Sequence, residues 1–223
     1  MKGLVASMQN AHIEVGRRHF ILSMAALGFS EFTQASDFGD ILVLGDSLSA
    51  EYGLTRGTGW VALLEQKLHT TNQPRKVINA SISGETSSGG RVRLPALLKQ
   101  HQPSVVVIEL GGNDALRGLP LNGTLDNLRS MVKTSQAAGA KVLLLGMQMP
   151  PNYGKKYAQD FEQLYVQVAK EMSTAFVPAF LKGVADTANP TELFQADRIH
   201  PTAQAQPIML ANVWPVLQTL LTP

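Results

Sequence analysis

Hydrophobic positions along this chain fall into two rhythms. Short unbroken apolar runs occur at Ile41-Leu42-Val43-Leu44, Val77-Ile78-Asn79-Ala80, Val105 to Leu110, Val142 to Leu145 and, more weakly, Ala175-Phe176-Val177. Runs of this length predict strands covered on both faces, because a strand with one wet face would alternate. Between them apolar residues recur every three or four positions. Trp60, Leu63, Leu64 and Leu68 do so, as do Leu125, Leu128 and Val132, and Tyr157, Phe161, Leu164, Val168 and Met172. That spacing predicts helices with one buried stripe. Residues 87–99 also read as helix despite Pro95. Thr202 to Leu221 does too, although Pro207 and Pro215 should kink or interrupt it. Five strands alternating with helices imply parallel pairing and right-handed crossovers. The expected fold is a three-layer α/β/α sandwich on a five-stranded parallel sheet. The loops at 45–56, 81–90, 111–123, 148–155 and 194–201 should then converge beyond the carboxyl ends of the strands, where such folds bind ligands.

The first 35 residues break both rhythms. Arg17-Arg18 precede an uncharged run from Phe20 to Phe29, and small residues follow at Thr33-Gln34-Ala35. Charge, short apolar stretch and small residues, in that order, describe an export signal. The Arg-Arg-x-Phe-Ile pattern resembles a twin-arginine signal, with cleavage expected after Ala35. The run is shorter than the ~20 residues a membrane span needs. An amphipathic first helix fits poorly, because residues 20–29 have no polar face. No other segment is a transmembrane candidate. The reading is therefore an export signal over 1–35 and a single periplasmic or secreted domain over 36–223, expected to be a monomer.

Composition narrows the chemistry. Nineteen basic against seventeen acidic side chains give a net charge of +2, which argues against a partner bound by phosphate neutralisation. The absence of Cys excludes disulfides, thiolate metal sites and a cysteine nucleophile. It also suits a twin-arginine signal, which exports a chain already folded in a reducing compartment.

Four loops carry candidate chemistry. Gly45-Asp46-Ser47-Leu48-Ser49 places a Ser on a tight turn after the first strand, where its hydroxyl is exposed and its N–H is near a helix N-terminus. Alone, this Ser reads as readily as a helix cap. Ser49 stands where the G-x-S-x-G elbow requires Gly, which argues against the ordinary α/β-hydrolase fold. Gly84 could offer an unhindered N–H, or serve only as a turn Gly. Asn113, in Gly111-Gly112-Asn113-Asp114, could aim an amide donor over the strand ends, or form an Asx turn. Asp197-Arg198-Ile199-His200 supplies a base and a carboxylate to hold its tautomer. Of the five His in the chain, His69 and His101 end predicted helices on the far side of the sheet, so His200 alone is placed to act as base.

Ser47, Gly84, Asn113 and the Asp197/His200 pair thus follow one another on separate strand-end loops. In this order they resemble the four blocks of the SGNH (GDSL) hydrolase family. The likeness extends through Asn79 to Gly84, Arg93 to His101 and Pro151-Asn152-Tyr153-Gly154, and spans nearly all of residues 40–221. It is strongest to bacterial thioesterase I, lysophospholipase and arylesterase members. The resemblance implies a flavodoxin-like sandwich and a Ser47–His200–Asp197 triad. It also implies an oxyanion hole of the Ser47 and Gly84 N–H groups with the Asn113 amide. Departures are Glu85, where Asp is expected, and Met149-Pro150.

The implied reaction is hydrolysis of carboxylic esters or thioesters: aryl esters, short to medium acyl chains, acyl-CoA or lysophospholipids. A carbohydrate O-acetylesterase and a non-catalytic acyl or carbohydrate binder are the competing readings. Leu116, Leu119, Leu121, Met147, Met149, Pro150 and Tyr153 suggest an apolar groove, with Leu116, Met149, Pro150 and Tyr153 as the substrate-binding candidates; each could equally be loop packing. Asp46 and Asp114 read as braces for their loops. No metal motif appears, and no cofactor is expected. Gly57-Thr58-Gly59-Trp60-Val61-Ala62 fits a dinucleotide fingerprint, but it lies 13 residues past Leu44 and lacks the following acidic partner. It reads as a turn leading into a helix, with Trp60 in the core.

Overall fold

The computed structural model describes residues 39–71, 75–149 and 151–221. The export-signal reading and its cleavage point lie outside them. Five strands, β1 (Ile41–Gly45), β2 (Val77–Asn79), β3 (Val105–Glu109), β4 (Lys141–Leu145) and β5 (Ala175–Val177), alternate with six α-helices. These are α1 (Trp60–His69), α2 (Ser87–His101), α3 (Gly112–Leu116), α4 (Leu121–Ala137), α5 (Lys155–Glu171) and α6 (Gln206–Leu220). All strand pairs are parallel, in the order β2-β1-β3-β4-β5.

The unbroken apolar runs have a plain cause. Alternate residues of each strand feed two separate cores. Leu42, Leu44, Val106, Ile108 and Leu144 face α2, α4 and α5, with Phe161 and Tyr165. Ile41, Val43, Val105, Val107 and Leu143 face α1 and α6, with Trp60, Phe180 and Met209. Both faces of the central strands β1 and β3 are dry, so their register positions are apolar except at Glu109, which ends β3.

The prolines are absorbed rather than disruptive. α6 starts at Gln206, so Pro207 falls in its first turn, where an N–H has no intrahelical partner to lose. Pro215 does not interrupt α6, contrary to the expected break, and α2 runs through Pro95 as read from the sequence. Buried Val213 and Leu217, and Leu94 and Leu98, hold those helices to the sheet. No helix among the described residues is long and apolar enough to cross a membrane.

The strand order turns back at β1. From β1 the chain runs outward to β2, then crosses to β3 on the other side. The crevice between β1 and β3 is therefore the topological switch point, where loops diverge and leave room for a ligand. Ser47 follows β1 and Asn113 follows β3.

Candidate active site

β1 ends at Gly45 and the chain turns at once. The N–H groups of Ser49 and Ala50 both bond the Asp46 carbonyl. No helix begins here; α1 starts only at Trp60. The helix-cap reading of Ser47 therefore fails. Its Oγ lies 2.9 Å from His200 Nε2, and His200 Nδ1 lies 2.6 Å from Asp197 Oδ2.

Asp197 also accepts the N–H groups of Ile199 and His200 through Oδ1. The bond from the His200 N–H, then that from its ring, then the Ile199 N–H hold this carboxyl down to about 2. An ionised carboxylate can only accept. So Nδ1 carries the proton, and the Nε2 lone pair faces the Ser47 hydroxyl. The Asp-x-x-His spacing has a local cause: Arg198 adopts left-handed backbone (φ 59°), which folds Asp197 back over the following N–H groups.

Two unforeseen residues support this arrangement. Gln195 donates its N–H to the His200 carbonyl, and its side-chain amide donates to the carbonyls of Tyr52 and Pro201. It ties the His200 loop to the Ser47 loop. The Tyr52 ring lies 4.2 Å from the His200 ring, tilted by 36°. Nothing in the sequence marks either residue, because the Gln195–Tyr52 bond spans 143 positions.

The oxyanion candidates converge on the same turn. Gly84 has φ 79°, so it serves as a turn glycine whatever else it does. The N–H groups of Ser47 and Gly84 have no acceptor among the described residues. Asn113 lies in the first turn of α3 rather than in an Asx turn. Its Nδ2 donates to Asp46 Oδ2 at 2.9 Å and to the Glu85 carbonyl at 3.0 Å. Both amide hydrogens are engaged, so an incoming oxyanion has to share one of them. Arg117 Nη2 donates to the Gly84 carbonyl.

Asp46 and Asp114 brace their loops, as expected. Asp46 accepts from Leu48 N–H and Asn113. Burial pushes its carboxyl up to about 6, against the pull of Leu48 N–H, the Asn113 amide and His200. Asp114 accepts from the Ser87 N–H, the Ser87 hydroxyl and the Thr124 hydroxyl, joining α3 to α2 and α4. Beneath them lies a residue not foreseen at all, Glu109, fully buried at the end of β3. A charged residue ending a run of Val and Ile is the signal that could have found it.

The apolar groove candidates divide. Met147 and Met149 are buried in the core against α4 and α5, and Leu116 packs beside them. Here the packing reading holds for Met149. Leu119 and Tyr153 are exposed. Pro150 lies outside the described residues. The dinucleotide-like segment is a turn into α1: Glu51 accepts the N–H groups of Gly57 and Gly59, filling with its own carboxylate a nest that could otherwise cradle phosphate.

Residues 43–207 match the GDSL-like lipase/acylhydrolase family. The chain is 49% identical over 201 residues to esterase TesA of Pseudomonas aeruginosa, covering 90% of this chain and 98% of that one. It is 43% identical over 181 residues to thioesterase 1/protease 1/lysophospholipase L1 of Escherichia coli K12, covering 81% and 84%. A crystal structure of TesA superposes with a TM-score of 0.78 at 52% identity, over 82% of this chain and 99% of that one. These relatives favour ester and thioester hydrolysis over the carbohydrate O-acetylesterase reading.

Proposed function

The chain belongs to the GDSL-like lipase/acylhydrolase family and is a serine ester hydrolase, and on that premise we propose that Ser47, His200 and Asp197 form its catalytic triad. The observation that carries the assignment is the continuous chain of contacts from Ser47 Oγ through His200 to Asp197, at 2.9 and 2.6 Å. Ser47 Oγ attacks the acyl carbonyl carbon as its proton passes to His200 Nε2. The carbonyl oxygen takes the negative charge and is received by the Ser47 and Gly84 N–H groups and the Asn113 amide. Collapse expels the alcohol or thiol, which takes the proton from Nε2. Water then attacks the acyl-enzyme with Nε2 as base, releasing the carboxylic acid and restoring the Ser47 hydroxyl. Asp197 stays ionised throughout and stabilises the imidazolium.

The substrates proposed are aryl esters and esters or thioesters of short to medium acyl chains, with acyl-CoA and lysophospholipids as further candidates. The oligomeric state proposed is a monomer. Residues 1–35 are proposed to direct export; N-terminal sequencing of the exported protein should begin just after Ala35, and a start at Met1 would overturn this.

The decisive test is Ser47→Ala on a p-nitrophenyl ester. Turnover should fall by at least about 10³ while the circular dichroism spectrum is unchanged. Activity near wild type in that variant would sink the assignment. Comparison of kcat/KM across p-nitrophenyl acetate, butyrate and octanoate and an acyl-CoA then ranks the substrates.

A further inference from the structure

Glu109 has no surface exposure, and the triad has no use for it. Its Oε2 accepts the Asp46 N–H at 3.2 Å and the Ser49 hydroxyl at 2.7 Å. Ser49 Oγ in turn accepts from Trp60 Nε1 at 3.1 Å. Oε1 is buried without a hydrogen-bond partner. The Asp46 carboxyl, also buried, is close enough to act on it electrostatically. Among the described residues no Lys or Arg bonds either carboxyl. The fit is tight: a Cβ on Gly45 would lie 2.7 Å from Glu109 Oε2 and 2.8 Å from Ser49 Oγ. The first Gly of the Ser47 block is therefore the space this carboxyl occupies.

Two carboxylates side by side and away from water do not both ionise. Asp46 has the stronger claim to the charge, since Leu48 N–H and the Asn113 amide point at it and His200 attracts it. Asp114 on α3 and Tyr165 on α5 also face the pair, and neither supplies a positive charge.

We infer that Glu109 is a positioning residue, a neutral acid that anchors the Asp46 main chain and the Ser49 hydroxyl, so that Asp46 in turn aims the Asn113 amide at the oxyanion. Burial, then the Asp46 charge, raise the Glu109 carboxyl well above its ordinary range, in keeping with this state. A neutral Glu109 also leaves a single negative charge beside the oxyanion hole; a second would oppose the oxyanion as it forms. The inference rests on the proposed roles of Ser47 and Asn113.

The test uses the full chain with Glu109→Gln and Glu109→Met, assayed on a p-nitrophenyl ester. Gln stays neutral and accepts from the Asp46 N–H and the Ser49 hydroxyl through its oxygen. It should keep kcat within about threefold and leave the acid limb of the pH profile in place. Met fills the space without polar atoms and should lower kcat by about 10–100-fold, with KM changed by less than about threefold. The infrared spectrum of the wild type at pH 8 should show the carbonyl stretch of a protonated carboxylic acid, and Glu109→Gln should lose it. Wild-type kcat in Glu109→Met overturns the inference. So does an acid limb displaced by about one pH unit in Glu109→Gln, or the absence of the infrared band, which decides the matter even if Glu109→Met does not fold. If Ser47→Ala is inactive while Glu109→Met is fully active, only the Glu109 role fails. If Ser47→Ala is active, the triad itself fails.

Discussion

Asp197 and Asp46 both interact with His200, yet their surroundings push them in opposite directions. Asp197 collects hydrogen bonds at the surface and is held to about 2, while burial lifts Asp46 to about 6. As pH falls from 8 to 4, Asp197 stays ionised and contributes nothing to the loss of activity. An acid limb of kcat/KM should come from protonation of Asp46, near 6. A pH–rate profile that stays flat to pH 4 would contradict this. Asp46→Asn should lower kcat by about 10–100-fold, because its new NH2 group would face the Asn113 NH2 donor instead of accepting from it. Asn113→Ala should cut kcat by roughly 10²–10³ and change KM little, since an oxyanion donor acts on the transition state. Steady-state kinetics separate the two parameters. The proposed roles of Ser47, Asn113, Asp197 and His200 were legible because acyl transfer demands those residue types at those loops. Ser49, Tyr52 and Gln195 were not, because their value comes from partners far away in the chain.

Among the elements, α3 went unforeseen. Five residues, Gly112–Leu116, are too few to show a helical period, and Gly111 and Gly112 read as a loop. Gly111 takes φ 117°, and a Cβ there would come within 2.5 Å of the Tyr165 hydroxyl, which donates to the Leu110 carbonyl. The turn from β3 into α3 therefore needs glycine at this position. Asp114 then locks α3 to its neighbours. Asp114→Ala would leave the Ser87 N–H and the Thr124 hydroxyl unpaired in the interior. It should cost about 2–4 kcal/mol of stability, read from urea unfolding. An effect below about 0.5 kcal/mol would mean the brace carries no weight. The prolines teach the opposite lesson. Local propensity argued for a kinked or interrupted helix at Pro215, and burial of the apolar stripe carries the helix through it, as it carries α2 through Pro95.

At the scale of the molecule, Glu109 couples the site to global stability. Its carboxyl lies well above the ordinary 4.5 in the fold, so the folded state holds a proton that the unfolded state releases as pH rises past that value. Stability is then lost as pH rises above about 4.5. Glu109→Gln removes this dependence. Its Tm should exceed that of the wild type by a margin that widens from pH 5 to pH 8, measured by calorimetry. A margin that stays flat over this range would show Glu109 ionised in the fold. The sequence alone determined the five strands, most of the helices and the order of the four candidate blocks, because burial on the sheet faces and the needs of acyl transfer restrict residue type locally. Tertiary structure decided the rest. Only the parallel sheet, turning back at β1, brings the loops after β1 and β3 into one crevice. There Asp46, Asn113 and Glu109 meet across more than 60 positions of chain, and their protonation follows from the missing water around them. Such a solvent environment belongs to the packed fold and to no single stretch of the chain.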